Sequence, residues 1–257
     1  MTAPSPARSA AVLGGFLVAY RHTWRATIIA AVASPIFFFL AIGVGLGGQI
    51  DDAGSLGVPY ADFVAPGILV ATAMQIAATE TTWPVMAGIR WFRTFHSILA
   101  TPVSVADLVT GRMAWVAVRV GISAAILVAV LVPFGVLESP LAILAVPATV
   151  VTGLALAAPI EAFAATRERE TDFAAVHRFV VLPMVLFAGT FFPIDQLPDP
   201  LEPVAWLTPL WHGVEVCRHL MVGTPGVADA GHTSVLVAVA LAGALAATRC
   251  YTRRMRP

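Results

Sequence analysis

The sequence predicts an all-α polytopic membrane protein, built as a single transmembrane domain with six membrane-spanning helices. Apolar residues make up 58% of the 257 residues, and charged residues make up 12%, about half the share typical of soluble domains. The apolar residues occur in runs long enough to cross about 30 Å of hydrocarbon, which takes roughly 20 helical residues. The arginines cluster in alternate loops. These features exclude a disordered chain, a coiled coil and an ordinary soluble enzyme.

The predicted spans lie within one domain, residues 1–257. They cover residues 26–47, 61–83, 107–133, 141–164, 173–193 and 227–248. The fifth run is the weakest, because His177 and Arg178 interrupt its start. Five or seven spans remain alternatives, because residues 201–221 are also apolar.

Residues 195–221 combine apolar side chains with charges and prolines. Several charges in one segment make a complete span costly, whereas proline and tryptophan suit broken or interfacial helices. We therefore predict short re-entrant helices on the outer side of the membrane. The candidate site residues of this segment are Trp206, Trp211, His212 and Glu215.

The distribution of arginine predicts the orientation. Arginines precede the first span, follow the sixth, and occupy the loops after the second and fourth spans, whereas the opposite loops are mainly acidic. Positively charged loops stay on the cytoplasmic side, so both termini are predicted to be cytoplasmic. The absence of lysine and the abundance of alanine are typical of a GC-rich bacterial genome. The expected location is the bacterial plasma (inner) membrane.

The N-terminal segment, residues 9–25, is predicted to be an amphipathic helix on the inner membrane surface. Large apolar residues recur there at helical spacing, beside Arg21, His22 and Arg25. A loosely ordered cytoplasmic leader is the alternative.

The loop at residues 84–106 is long for an inner loop and carries a partly helical apolar stripe that ends near Pro102. Such a short amphipathic helix must be covered either by lipid or by a docked partner. The pattern alone favours neither.

Several ionisable residues fall inside predicted spans, where an unpaired charge is expensive. Glu80, Arg112 and Glu161 have similar predicted depths, while Arg119 lies two turns beyond Arg112 and Gln75 is a possible partner. One interpretation is a polar cluster that lines an inward-facing substrate route. The other is a neutralised clamp between helices, or arginines whose head groups reach the lipid interface. In either case we expect Glu80 and Arg112 to be energetically coupled.

No catalytic or nucleotide-binding motif is recognisable in the sequence. It contains no GxxxxGK[ST], HExxH or GxSxG pattern, and no pair of histidines has convincing metal-ligand spacing. The balance of 15 cationic and 15 acidic residues gives no reason to expect nucleic acid. Cys217 and Cys250 are predicted on opposite sides of the membrane, so no disulfide is expected between them.

Three segments make the chain resemble the ABC-2 type transporter permeases, in particular the subfamily of the nodulation-exporter permease J and the daunorubicin-resistance permease. These segments are YADFVAPGILVATAM, RTFHSILATPVSVADLVTGRMAW and AGTFFPIDQLPDPLEPVAWLTPLWHGVEVCRHLMVG. The resemblance extends from about Tyr20 to the end of the sixth span.

The resemblance implies that the loop at 84–106 forms a coupling helix that contacts a separate ATPase. The candidate contacts are Arg90, Phe92, Arg93, Phe95, His96 and Ile98. It also implies two ATPase subunits, which bind ATP and Mg²⁺, and a second permease copy that forms a homodimer; this chain itself binds no cofactor. Relatives commonly carry glutamate where this chain has His96, and the charged segment 167–172 is a candidate second contact.

The resemblance therefore implies the permease subunit of an ABC exporter, not an enzyme, moving an amphipathic drug, lipid or lipo-oligosaccharide outward. Two alternatives remain. One is a proton-coupled secondary transporter that uses Glu80, Arg112 and Glu161 as a relay, against which the absence of an internal repeat counts. The other is a membrane-embedded lipid enzyme, for which no convergent catalytic set is recognisable.

Overall fold

The computed structural model describes residues 3–46 and 58–255, and within these ranges every regular element is a helix. The α-helices are α1 (Pro6–Tyr20), α2 (Trp24–Phe38), α3 (Tyr60–Thr81), α4 (Trp83–Met86), α5 (Thr94–Leu99), α6 (Val105–Leu131), α7 (Ala145–Thr166), α8 (Thr171–Val176), α9 (Leu182–Phe187), α10 (Glu202–Trp206), α11 (Pro209–Val222) and α12 (Val227–Arg254). Three π-helical segments extend α2, extend α4 and join α8 to α9: Phe39–Leu46, Ala87–Trp91 and His177–Val181. Short 3₁₀ turns cover Val132–Phe134, Pro140–Leu144 and Ile194–Gln196.

The all-helical fold class is confirmed, and four continuous helical stretches in the described ranges are long and apolar enough to cross a membrane. They are Tyr60–Trp91, Val105–Phe134, Pro140–Thr166 and Val227–Arg254. A shorter apolar helix covers Ala33–Gly45, inside the predicted first span, whose end at Gly47 lies outside the described residues. The six-span count stays a prediction.

The predicted fifth span is shorter and more broken than expected. It forms α8, a π-helical segment and α9, and it ends at Phe187 instead of residue 193. Gly189 then adopts a left-handed backbone conformation (φ 75°), which glycine tolerates because it has no Cβ. This region is therefore a helix with a π-helical segment in its middle, followed by a loop.

Helix α7 lies at the centre of the bundle and packs against α12, α3, α6 and α11. Its closest neighbour is α12, where Gly243 faces Pro159 of α7. A Cβ on Gly243 would lie 2.7 Å from the Cδ atom of Pro159, so only glycine permits this approach. Small residues at such crossings let membrane helices pack closely, which is a main source of their association energy.

The N-terminal helix α1 and the residue before it dock along α6 through contacts spread over the length of both segments. The backbone N–H of Ser5 donates to Asp107 (2.5 Å), Phe16 stacks on Trp115 with 6.0 Å between ring centroids, and Tyr20 reaches Arg119. Because both contact series rise with residue number, the two helices run parallel. The predicted amphipathic segment is thus a docked helix beginning at Pro6, rather than a loosely ordered leader.

We expect Gly111→Leu to displace α1 from α6. A Cβ at Gly111 would lie 2.7 Å from the side chain of Val12, and overpacking of this kind typically costs about 1–3 kcal/mol. A cysteine at Val12, which is 6% exposed, should then react about tenfold faster with a thiol reagent in a background without Cys217 and Cys250. Gly14→Leu is the matched control, because nothing lies within 4 Å of a Cβ there. Equal labelling rates in the two variants would contradict the observed docking.

Candidate functional site

A cavity of about 430 Å³ opens between α2, α3, α6 and α9. One face of α3 supplies a polar stripe, formed by Thr72, Gln75 and Thr79 at one-turn spacing, and the remaining wall is mainly apolar. Gln75 and Thr79 are exposed. The complete lining consists of Ser34, Pro35, Phe38, Ile68, Ala71, Thr72, Gln75, Ile76, Thr79, Glu80, Arg119, Val185 and Phe191.

One end of the cavity carries an ion pair between Glu80 of α3 and Arg119 of α6. The Nε atom of Arg119 donates to the Glu80 carboxylate at 3.0 Å, and the indole N–H of Trp115 donates to the other carboxylate oxygen at 2.9 Å. Arg119 also donates to the Tyr20 hydroxyl at 2.7 Å, and its guanidinium lies 4.8 Å from the centroid of that ring. The docked helix α1 is therefore connected directly to the cavity wall.

A second ion pair lies next to the first but is sealed inside the bundle. Arg112 of α6 donates through Nε to Glu161 of α7 at 2.6 Å, and their side chains are 1% and 0% exposed. The Tyr251 hydroxyl of α12 donates to the same Glu161 oxygen at 3.0 Å. This pair joins three helices at a point without access to the cavity.

Proline explains why Arg112 also contacts α3. Pro84 has no N–H with which to close the helical hydrogen bond to the carbonyl of Glu80, four residues earlier. Arg112 donates to that carbonyl at 2.9 Å. The break after Thr81 thus leaves an acceptor in the bundle, and a buried guanidinium satisfies it.

The structure separates the five residues that were predicted to form one polar cluster. Gln75, Glu80 and Arg119 line the cavity, whereas Arg112 and Glu161 form the buried clamp. Arg119, rather than Arg112, pairs with the Glu80 carboxylate, and Arg112 bonds to the Glu80 backbone oxygen. The expected energetic coupling of Glu80 with Arg112 stays a prediction. Sequence reasoning missed Tyr20, Trp115 and Tyr251, whose polar tips complete both pairs. Their only sequence signal was a polar tip on an aromatic residue near buried charges.

The predicted coupling loop presents an exposed aromatic surface. Phe92 is 75% exposed and Trp91 is 50% exposed, with Arg90, Arg93 and His96 also at the surface. Arg93 adopts a left-handed conformation (φ 52°) immediately before α5 and turns the chain there.

Phe95 does not belong to this surface, contrary to expectation. It is 2% exposed, packs against Gly88, and its ring lies 5.1 Å from the Arg112 guanidinium. Ile98 is partly buried against the group of buried apolar side chains that includes Phe95. The apolar face of α5 is covered by the bundle itself, which explains why two of the predicted contact residues point inward.

Two other segments lie beside the loop. Arg90 donates to the backbone carbonyl of Glu168, and Arg254 at the end of α12 lies 3.5 Å from the Glu168 carboxylate. The charged segment 167–172 therefore adjoins the aromatic surface formed by Trp91 and Phe92.

The predicted outer segment forms two short helices that are joined to the last long helix. The Thr208 side chain caps α11, where Pro209 begins a new helix. The Nδ1 atoms of His212 and His232 lie 2.7 Å apart, so one ring donates its N–H to the unprotonated Nδ1 of the other. Trp211 packs against both rings. Burial lowers the pKa of His212, and the adjacent His232 lowers it further.

The remaining polar groups of α11 are also paired. Glu215 pairs with Arg218, which donates to the Gly189 carbonyl at 2.7 Å, and His219 contacts Asp229 at 2.7 Å. Trp206, 47% exposed, lies apart from this cluster on α10. The described part of the chain contains no group of three or more metal-donor side chains suited to a metal ion.

Comparison with known proteins decides between the functional hypotheses. The profile of the ABC-2 type transporter family matches residues 10–222. The chain belongs to the ABC-2 type transporter family. Family membership indicates a multi-pass membrane transport subunit that is not itself catalytic, and it implies association with an ABC ATPase. The resemblance inferred from its motifs is confirmed, and the secondary-transporter and lipid-enzyme hypotheses lose their support.

Curated relatives of this ABC-2 permease resemble it over most of its length. Nodulation protein J of Rhizobium meliloti (strain 1021) is 30% identical over 243 residues, which cover 93% of this chain and 91% of the relative. Nodulation protein J of Rhizobium leguminosarum bv. viciae is 29% identical over 241 residues, with the same coverage. The inner membrane transport permease YadH of Escherichia coli (strain K12) is 24% identical over 208 residues, covering 79% of this chain and 78% of YadH.

Proposed function

We propose that this permease forms the membrane part of an ABC exporter that moves an amphipathic drug, lipid or lipo-oligosaccharide outward. Two copies of a separate ATPase bind ATP and Mg²⁺ and drive two copies of this chain, paired as a homodimer. The observation that carries the proposal is the cavity between α2, α3, α6 and α9, which is bounded by apolar walls, a polar stripe and an ion pair.

The cavity suits an amphipathic substrate. Its volume of about 430 Å³ falls within the range of roughly 300–1,000 Å³ that is typical of small-molecule sites. Phe38, Ile68 and Phe191 offer apolar contact, while Gln75 and Thr79 offer hydrogen bonds. A larger substrate, such as a lipo-oligosaccharide, would place only one part of itself here.

The aromatic surface formed by Trp91 and Phe92, together with the flanking Arg90 and Arg93, suits an ATPase contact. Exposed phenylalanine and tryptophan next to arginine are the residue types that most often dominate protein–protein binding energy. Trp91 and Phe92 would fill an apolar groove, and Arg90 and Arg93 would steer acidic surface toward it. His96, also exposed, would contribute less.

A short series of contacts connects α5, which follows this surface in the chain, to the cavity. Phe95 packs on Arg112, Arg112 donates to the Glu80 backbone, and the Glu80 side chain holds Arg119 in the cavity wall. Movement of α5 against an ATPase would therefore shift the charged end of the cavity through side chains already in contact. The same contacts would relay cavity occupancy back to the loop.

For orientation, we propose six spans in the bacterial plasma (inner) membrane, with both termini cytoplasmic and residues 195–221 re-entrant from the outside. Cysteine at Asp199 should react with an impermeant thiol reagent in intact cells, in a background without Cys217 and Cys250. Cysteine at Arg93 or Arg254 should react only after permeabilisation. Labelling of position 254 from outside would contradict the six-span arrangement. Position 52, which the sequence also predicts to be outside, lies outside the described residues.

The decisive test of export is reconstitution of this chain with an ABC ATPase with which it co-purifies. Proteoliposomes should extrude an amphipathic fluorescent substrate only when ATP and Mg²⁺ are on the ATPase side. An ATPase variant without its catalytic glutamate is the control, since it binds ATP but cannot turn over. Transport that persists with this variant, or that follows a proton gradient alone, would contradict the proposal.

A further inference from the structure

The charged end of the cavity offers more hydrogen-bond donors than the protein itself uses. Arg119 has five N–H groups. Its Nε donates to Glu80 and one terminal nitrogen donates to the Tyr20 hydroxyl, while the other terminal nitrogen has no acceptor in the described part of the chain. Both carboxylate oxygens of Glu80, by contrast, already accept a bond, from Arg119 and Trp115.

We propose that Arg119 binds the anionic head group of an amphiphile, a phosphate or a carboxylate, whose apolar part lies along the walls formed by Phe38, Ile68 and Phe191. This inference rests on the proposed function, because it treats the cavity as the substrate site. It adds the charge class of the substrate and the residue that selects it.

The surroundings of Arg119 favour an anion over a cation. The side chain is 8% exposed, and a charge-assisted hydrogen bond is stronger where water is scarce. A planar guanidinium matches the spacing of phosphate and carboxylate oxygens. A cationic head group would be repelled by the positive charge of Arg119. It would also have to compete with Trp115 for the Glu80 carboxylate.

The polar stripe extends the same site. Gln75 and Thr79 lie exposed on the cavity wall within one or two turns of Glu80. Their amide and hydroxyl groups can bond neutral polar atoms next to the anionic group, such as ester or sugar oxygens. The site therefore selects charge at Arg119 and tolerates varied polar chemistry beside it.

The test measures binding to the purified full-length protein in dodecyl maltoside by native mass spectrometry. The probes are dodecyl phosphate, dodecyltrimethylammonium and inorganic phosphate, which separate the contributions of the head group and the chain. Dodecyl phosphate should bind about tenfold more tightly than either of the other two, as expected for one charge-assisted bond combined with apolar burial. A preference for dodecyltrimethylammonium, or equal binding of the two amphiphiles, would overturn the inference. Inorganic phosphate binding as well as dodecyl phosphate would overturn the role of the apolar walls.

Variants locate the site. Arg119→Gln should lower dodecyl phosphate affinity about tenfold, whereas Arg119→Lys should retain part of it. Arg178→Gln, an exposed arginine away from the cavity lining, should leave it unchanged. Thr79→Asp leaves the ion pair in place and adds a negative charge to the cavity wall. It should lower the affinity for dodecyl phosphate and raise the affinity for dodecyltrimethylammonium. This variant therefore tests the inference even if Arg119→Gln does not fold. Unchanged binding in Thr79→Asp would overturn the inference.

This binding assay contains no ATPase, so the two proposals can fail separately. Loss of the anionic preference together with intact ATP-driven export would reject only the charge assignment. A confirmed preference without ATP-driven export of any amphiphile would reject only the exporter function.

Discussion

Glu161→Ala is expected to lower the free energy of unfolding by about 3–5 kcal/mol. The substitution leaves Arg112, 1% exposed, without its carboxylate partner, and also deprives the Tyr251 hydroxyl of its acceptor. A buried guanidinium cannot shed its charge, so the loss must appear as reduced stability. The loss of stability is measured by heating the protein in detergent and monitoring the disappearance of its monodisperse peak in size-exclusion chromatography.

Two comparisons isolate this effect. Glu168→Ala removes a carboxylate that is 71% exposed and 3.5 Å from Arg254, so it should cost no more than about 1 kcal/mol. Glu161→Met combined with Arg112→Met removes both charges and should recover much of the loss. If the two single losses simply add in the double variant, the pair is not coupled.

Phe92→Ala is expected to abolish co-purification with the ATPase and substrate-stimulated ATP hydrolysis, while leaving the permease folded. The ring is 75% exposed, so its removal creates no cavity in the bundle. A buried aromatic anchor at an interface commonly contributes about 2–4 kcal/mol, which corresponds to a loss of affinity of about thirtyfold or more. Pull-down of the ATPase and ATPase assays in proteoliposomes measure the two effects.

The controls distinguish a lost contact from a damaged fold. Phe179→Ala removes an equally exposed ring, 78% exposed and distant in sequence from the loop, and should leave ATPase binding unchanged. Phe95→Ala removes a ring that is 2% exposed and packed on Arg112, so it should lower the free energy of unfolding by about 3–5 kcal/mol. Wild-type ATPase binding by Phe92→Ala would show that the loop rests on lipid and is not docked.

The sequence predicted the individual candidates better than their arrangement. It identified Glu80, Arg112 and Glu161 at similar depth, with Arg119 and Gln75 as further members of a polar cluster, but it paired Glu80 with Arg112 and did not anticipate the aromatic partners. Membrane helices are apolar on nearly every face, so hydrophobic periodicity does not reveal which face meets another helix and which meets lipid. The rotation of α6, which directs Arg112 to Glu161 and Arg119 to Glu80, follows only from packing against α3 and α7.

In the coupling loop, too, the sequence pattern did not predict how the side chains pack. An apolar stripe at helical spacing predicted that one face of α5 must be covered, which is correct. The pattern did not reveal that the bundle covers it, because Gly88 makes room for Phe95 only once the chain folds back after Trp91. The residue left outside is Phe92, one turn earlier.

The sequence by itself determined the helical class, four of the long apolar stretches and membership of the ABC-2 family, because long apolar runs and local motifs are properties of contiguous residues. The tertiary structure alone decided which charges face the cavity and which are sealed inside. Those roles depend on contacts between residues such as Arg119 and Tyr20, which lie 99 positions apart, and the free energy of such a contact depends on the packing that surrounds it.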